Sequence, residues 1–485
     1  MLARAQDPVV ASPWAMLGRR ILGAGVNRLW TGASTGTRRV VLGAAVAVIA
    51  TIAAVTLATG AGGTPPPNIL VIVTDDQRAD GTMDVMPQTR QWFETGGTKF
   101  TNAFVADPQC CPSRSAIFSG RYVHNHGVRT NDLSPNLDQR YTLQKYLHDA
   151  GYLTGAYGKY LNALNLLHNP PNFDKWSIFT AGYSPLRVNE QGVVKGVNQY
   201  ATSYISDKAV QFLQDAETND SKPWFLYLAT TAPHSPFTPE TKYANASVPA
   251  FQPNPAETES DRSDKPPWVQ NQQVNSQTNI NTHDNQLRTL LSVDDLVNTV
   301  FQTLEATGEA QDTLAIFLSD NGYEWADHGL TEKGYPYLES IKVPMYMRWP
   351  SHIATGATDS RLVNTVDLAP TLLDAAGGIS PALPMDGRSL LGAASRSRLL
   401  TEFYKDDEGV TPTWASLVSP TYEYNEYYSQ NDPRKILYRE YYDLTNDPFQ
   451  LTNLLDDGNS ANDPPTASLS AQLAADVHCS GSGCP

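Results

Sequence analysis

Apolar positions fall along this chain in two rhythms. Five short, nearly continuous apolar runs lie at residues 69–73, 153–157, 224–228, 314–318 and 343–347. Their length and content suit strands buried on both faces of a parallel sheet. Between these runs, apolar residues recur every three or four positions. The clearest case is Leu287 to Leu304, where positions 287, 290, 291, 296, 297, 300, 301 and 304 share one helical face. Residues 144–150, 203–216 and 366–376 also read as helices. Strands alternating with helices predict an α/β fold with a mostly parallel sheet flanked by helices.

Two stretches break the alternation. Residues 235–282 are rich in Pro, Asn, Gln and Asp and read as one long excursion of the kind that is functional or disordered. From residue 396, Tyr and Thr become frequent and turn residues separate short runs, which predicts a small antiparallel C-terminal sheet over 396–455. The last 25 residues read as loosely ordered.

Charge adds a third region. The chain has 35 Lys and Arg against 50 Asp and Glu, a formal charge of -15. With 41% hydrophobic and 18% charged residues it is neither a disordered chain nor a disulfide scaffold. Its acidity disfavours general nucleic-acid binding. Residues 1–39 hold six Arg and one acid, and residues 40–66 hold no charge, so the rest of the chain stands at -20. The apolar run 40–63 reaches the about 20 residues that cross a bilayer. Basic residues before it orient the acidic body outward. Arg38-Arg39 before Val40-Val41-Leu42 resembles a twin-arginine export signal. Both a cleaved export signal and a retained membrane anchor fit. In an exported body, Cys479 and Cys484 can form a disulfide or stay free. The adjacent Cys110 and Cys111 need another account.

The chemistry gathers after the strands. Residues 69–73 lead to Asp75-Asp76, and 314–318 to Asp320-Asn321-Gly322. Residues 224–228 lead to His234, and 153–157 to Lys159. Ligands of open α/β sheets bind beyond the carboxyl ends of the strands. Asp75, Asp76, Asp320 and Asn321 are oxygen donors suited to a hard divalent ion, Ca²⁺ or Mg²⁺. Pro112 suits a first helical turn and Gly120 a helix end, placing Cys110 at a helix N-terminus with Arg114 one turn in.

The string Cys110-Cys111-Pro112-Ser113-Arg114, closing on Gly120-Arg121, resembles the sulfatase motif. The likeness continues through residues 68–77, Gly158-Lys159, residues 232–236, Asp320-Asn321-Gly322 and residues 366–371. It is nearest to the N-acetylglucosamine-6-sulfatase-like branch, on residues 110–115, 122–126, 159–162, 263–266 and 287–296. The resemblance implies an alkaline-phosphatase-like α/β fold and hydrolysis of a sulfate monoester, on a sugar such as N-acetylglucosamine 6-sulfate. It implies a formylglycine nucleophile derived from Cys110 and a Ca²⁺ held by Asp75, Asp76, Asp320 and Asn321. Arg114, Lys159, His234 and Lys333 resemble the groups that hold the nucleophile and the sulfate oxygens.

The pattern departs in two places. Leu161 stands where many sulfatases have His, which leaves His124, His126 and Asn162 as candidate bases. Glu324 stands where the branch has His, with His328 four residues on. His124, His126 and His328 are the expected substrate-binding residues. The expected domains are 1–66, a basic head with export signal or membrane anchor; 67–395, the catalytic domain; and 396–485, the C-terminal subdomain and tail. The expected partners are a sulfated small molecule or glycan, a formylglycine-generating enzyme, and a membrane through the N-terminal segment, with no nucleic acid. A phosphatase or phospho-transferase of the same superfold is the alternative enzyme, though these usually place Ser or Thr at the nucleophile. An inactive tethered binding protein is the other alternative.

Overall fold

The computed structural model describes residues 65–485 except 219 and 406–409. The segment 40–63, expected as an export signal or a membrane anchor, lies outside the described residues. Among the described residues no helix is long and apolar enough to cross a membrane.

Strands β1 (Asn68–Thr74), β2 (Thr98–Phe104), β3 (Leu153–Lys159), β4 (Lys175–Phe179), β5 (Leu186–Glu190), β6 (Val193–Val197), β7 (Trp224–Ala229) and β8 (Thr313–Ser319) belong to the main sheet. After a two-stranded ribbon of β9 (Glu324–Trp325) and β10 (Thr331–Glu332), strands β11 (Met345–Arg348) and β12 (Ala357–Asn364) complete it. The ten strands run in the order β12-β2-β11-β8-β1-β7-β3-β4-β5-β6. The centre, β8-β1-β7-β3-β4, is parallel as expected. The run at 343–347 is not part of that parallel set. β11 lies antiparallel to both β2 and β8, because its chain returns directly from the site loops without a crossover helix. The hairpin β5–β6 adds an antiparallel edge.

Alternation along β1 feeds two cores. Ile69, Val71 and Val73 face one layer, and Leu70 and Ile72 the other. The first is covered by α1 (Cys110–Ser119), α2 (Leu143–Asp149) and, further along the chain, a helix spanning Leu368–Ala375. The second is covered by α3 (Ala201–Thr218) and α4 (Ser276–Thr307), through Phe212, Leu290, Val297 and Phe301. The predicted helix at 287–304 is the buried core of α4, which starts earlier, where Asn275 caps Gln277 N and Thr278 N. The excursion after residue 235 therefore ends at Asn275, because its last polar residues form the solvent face of the first α4 turns.

The C-terminal sheet orders β13 (Leu399–Phe403), β14 (Thr413–Val418), β15 (Tyr422–Tyr428) and β16 (Ile436–Asp443) as an antiparallel meander. The tail is better ordered than its composition suggests. Helix Thr466–Asp476 buries Leu473, and Cys479 pairs with Cys484, which packs into the same apolar cluster.

Candidate active site

Parallel strands end in register, so the residues after them converge. Asp320 N donates to Thr74 O at 3.1 Å, and Asp75 N to Ala232 O at 3.1 Å. These bonds tie together the loops after β1, β7 and β8. Asp76 takes a left-handed φ of 67°, which turns the chain so that its N–H meets Asp320 Oδ1 at 3.3 Å. Helix α1 starts at Cys110 and ends on Gly120, whose φ is 66°. A Cβ on Gly120 would come within 2.8 Å of Met385 Sδ, so both the turn and the packing favour glycine there.

All nine residues expected in the metal and catalytic sets are brought together. The Cys110 thiol donates to Asp75 Oδ1 at 3.3 Å and accepts from Lys333 Nζ at 3.0 Å. Lys159 Nζ bonds Asp75 Oδ2, and Lys333 Nζ bonds Asp76 Oδ1. Arg114 is fully buried; its Nε donates to Asp320 Oδ2 at 2.7 Å and its Nη1 to Lys159 O at 2.7 Å. His234 Nε2 lies 3.8 Å from Asp76 Oδ2, while its other ring nitrogen meets Ser235 O at 2.7 Å. Asn321 Nδ2 donates to Asp76 Oδ1 at 2.7 Å.

Opposite charges shape the proton affinities. Burial opposes ionisation of Asp75, but Lys159, His234, Arg114 and Lys333 outweigh it and hold this carboxyl well below its usual range. Burial and the neighbouring Asp75 push Asp320 up, against Arg114. Burial disfavours charge on His234, yet Asp76 and Asp75 outweigh it and push the imidazole up to about 10. Three aspartates thus face Arg114, Lys159, Lys333 and His234.

A divalent ion fits this donor set. Asn321 Oδ1 is buried without a partner, beside carboxylates that now engage ammonium groups. One donor atom each from Asp75, Asp76, Cys110 and His234 lies within 4.8 Å of the others. Four hard oxygens from Asp75, Asp76, Asp320 and Asn321 suit Ca²⁺ or Mg²⁺.

The site opens into a cavity of about 510 Å³. Cys110, Asp76, His234 and Lys333 line its depth, and Gln272, Tyr323, Tyr335 and Phe403 also line it. Of these last four only Tyr323, directly after Asp320-Asn321-Gly322, lay beside a sequence signal. Three expected substrate-binding histidines are not among the lining residues. His124 Nδ1 is 2.8 Å from Glu402 Oε2 and its Nε2 is 2.9 Å from Cys479 O, so the ring clamps the tail. His126 Nδ1 accepts from Val128 N at 3.1 Å, and burial and Arg121 lower its pKa to about 3. His328 is fully buried, its Nδ1 2.8 Å from Glu259 Oε2 and its ring against Tyr337. Asn162 does not line the cavity either.

Comparison with known proteins gives the family. The sulfatase family model matches residues 67–379, and the C-terminal N-sulphoglucosamine sulphohydrolase model matches 326–477. Human N-acetylglucosamine-6-sulfatase is 33% identical over 456 residues, covering 81% of this chain and 82% of that protein. The Drosophila melanogaster extracellular sulfatase SULF-1 homolog is 34% identical over 70% of this chain. The chain spans only 32% of that protein's length, and 48% of a second Sulf-1 homolog from Caenorhabditis elegans. A structure solved with its substrate D-glucosamine-2-N,6-O-disulfate superposes with a TM-score of 0.71 at 22% identity, covering 84% of this chain and 97% of that one. The phosphonate monoester hydrolase of Agrobacterium radiobacter shares the fold at a TM-score of 0.66 and 21% identity, covering 85% and 96%. With its Cys-x-Pro-Ser-Arg helix, its strand-end acids and a family match across most of its length, the chain belongs to the sulfatase family.

Proposed function

We propose that this chain hydrolyses a sulfate monoester on a sugar, of the N-acetylglucosamine 6-sulfate kind, with position 110 as nucleophile. The observation that carries the reading is Cys110 Sγ on the cavity floor, 3.0 Å from Lys333 Nζ and 3.3 Å from Asp75 Oδ1. Formylglycine at this position would supply a hydroxyl nucleophile that can expel its product by re-forming a carbonyl. A divalent ion on Asp75, Asp76, Asp320 and Asn321 would supply Lewis-acid neutralisation of sulfuryl oxygens.

The chain's own groups do the rest. Lys333 and Lys159 offset charge on the sulfuryl oxygens, as preorganised cations do in a dry site. Arg114 holds Asp320 and the end of β3 in place. His234 lines the cavity 3.8 Å from Asp76 Oδ2 and would be the group to give a proton to the leaving oxygen. Tyr335, partly exposed in the cavity wall, offers a face to a sugar ring. The reading includes export, with residues 40–63 as signal or anchor, and a formylglycine-generating enzyme during maturation; relatives named extracellular sulfatases support export.

Mass spectrometry of the tryptic peptide holding Cys110, from protein made in its native host, tests the nucleophile. Conversion to formylglycine is expected; an intact thiol sinks the enzyme reading. The phosphatase alternative is weighed by turnover of matched aryl sulfate and aryl phosphate, with sulfate preferred if the proposal holds.

A further inference from the structure

A second concentration of carboxylates lies outside the cavity. Glu324 is in β9, Asp327 in the turn after it, and Glu339 in the one-turn helix Leu338–Ile341. One oxygen from each lies within 4.8 Å of the others. Glu324 is 0% exposed, and neither of its carboxylate oxygens has a hydrogen-bond partner.

Arg78 is the cation facing this cluster, and it is already shared. Its Nη1 reaches Asp327 Oδ2 at 2.7 Å and Glu257 Oε1 at 3.1 Å, and its Nη2 lies 3.7 Å from Glu339 Oε1. Asp327 also accepts from Trp325 N at 2.8 Å and Asn254 Nδ2 at 3.1 Å. The nearby cations belong elsewhere: Lys265 lies 3.2 Å from Glu259 Oε1, and His328 Nδ1 is 2.8 Å from Glu259 Oε2.

Glu324, Asp327, Glu339 and Glu257 thus surround a single guanidinium. A buried carboxylate left unpaired is costly, and so is net charge in a dry interior. Protons or a cation must relieve it. Burial, Asp327 and Glu339 push Glu324 well above the usual carboxylate range, and burial and Asp327 push Glu257 and Glu339 up to about 7 each, so a proton shared between Glu324 and Asp327 is the rival to a bound cation. The exposed side of the cluster is open. A cavity of about 340 Å³ lined by Arg78, Asp80, Asn102 and Glu339 gives small ions a route to Glu339. The free donors are all carboxylate oxygens, which select hard cations.

We propose that Glu324 and Glu339, with Asp327 alongside, form a second divalent-cation site for Ca²⁺ or Mg²⁺, distinct from the one at Asp75, Asp76, Asp320 and Asn321. Glu324 stands where the N-acetylglucosamine-6-sulfatase-like branch has His, so the site would be a property of this chain. It ties the β9–β10 ribbon, which precedes Lys333, to the helix Leu338–Ile341.

The test uses the full chain, stripped with chelator and reloaded with Ca²⁺ or Tb³⁺ alone. Trp325, whose ring centroid lies 4.9 Å from the Arg78 guanidinium carbon, flanks the cluster and can sensitise terbium emission. Glu324→Gln and Glu339→Gln should each bind one Ca²⁺ fewer per chain than wild type. Each should also lose tryptophan-sensitised terbium affinity by about 10–100-fold or more. Asp320→Asn should keep that terbium signal. Unchanged ion counts in both glutamine variants, or a terbium signal that disappears in Asp320→Asn instead, would overturn the proposal and leave shared protons as the means of quenching the cluster. If Glu324→Gln fails to fold, Glu339→Gln carries the same comparison from the rim of the cavity.

Discussion

Two carboxylate clusters share the loops after β1 and β8, and they are charged in opposite senses. Around Cys110, three aspartates face Arg114, Lys159, Lys333 and His234. Around Arg78, two residues beyond Asp76, four carboxylates face one guanidinium. In the first, cations from four elements offset the aspartates; in the second, one guanidinium is shared among the acids. The chain's formal charge of -15 does not distinguish them. Substrate attraction is set by how many partners each carboxylate has within a few ångströms, where interactions between desolvated charges are strongest.

The contrast breaks most sharply on Lys333. Lys333→Ala removes a cation from both Cys110 and Asp76. It should cut kcat/KM on an aryl sulfate by about 10²–10³-fold, whereas Glu257→Gln, in the other cluster, should stay within about twofold. Equal losses in steady-state assays would show that the clusters do not act separately.

Stability should respond next. Arg78→Met strands several buried carboxylates and should cost about 3–5 kcal/mol in urea unfolding. A smaller effect separates the two accounts of Glu324. In chelator, Glu324→Gln relieves repulsion and should raise the unfolding midpoint, by about 1 kcal/mol; in excess Ca²⁺ the sign should reverse. A midpoint shift of the same sign in both conditions would contradict the second site.

The smallest effect lies outside both clusters. Burial opposes charge on His124, but the hydrogen bond and charge of Glu402 outweigh it, so the folded pKa is raised. The contribution to stability is complete below the unfolded value of about 6.5. It is lost as pH rises through the folded pKa. Glu402→Gln should flatten that pH dependence, measured by melting temperature across pH 6 to 9, by about 1 kcal/mol or less.

Much of the site was legible because buried strands announce themselves by continuous apolar runs, and parallel strands deliver their next residues to one edge. Asp75, Asp76, Lys159, His234, Asp320 and Asn321 all follow such runs. Lys333 does not. It follows a two-residue strand with no periodicity, and only the family resemblance pointed to it. His124, His126 and His328 do not line the cavity, because residue type and proximity in sequence do not say which way a ring points. The first turns toward the tail, the second into the backbone after its own short helix, and the third toward Glu259. The tail was misread because Ser and Gly composition conceals what one disulfide and one buried Leu473 can order. The antiparallel placement of β11 was hidden because an apolar run does not encode strand direction.

The enclosure of Cys110 has a consequence in time. Its thiol is 1% exposed and contacts a lysine 223 residues later in the chain. At roughly 5–20 residues per second, ribosomes need about 10–45 s to make that stretch. Until Lys333 emerges, the pocket around the thiol cannot close, and the thiol stays open to chemical modification. On the proposed formylglycine reading, modification of position 110 would be a race between catalysis on a nascent chain and completion of the sheet. Slowing synthesis between residues 110 and 333 should raise the modified fraction without altering any residue of the protein.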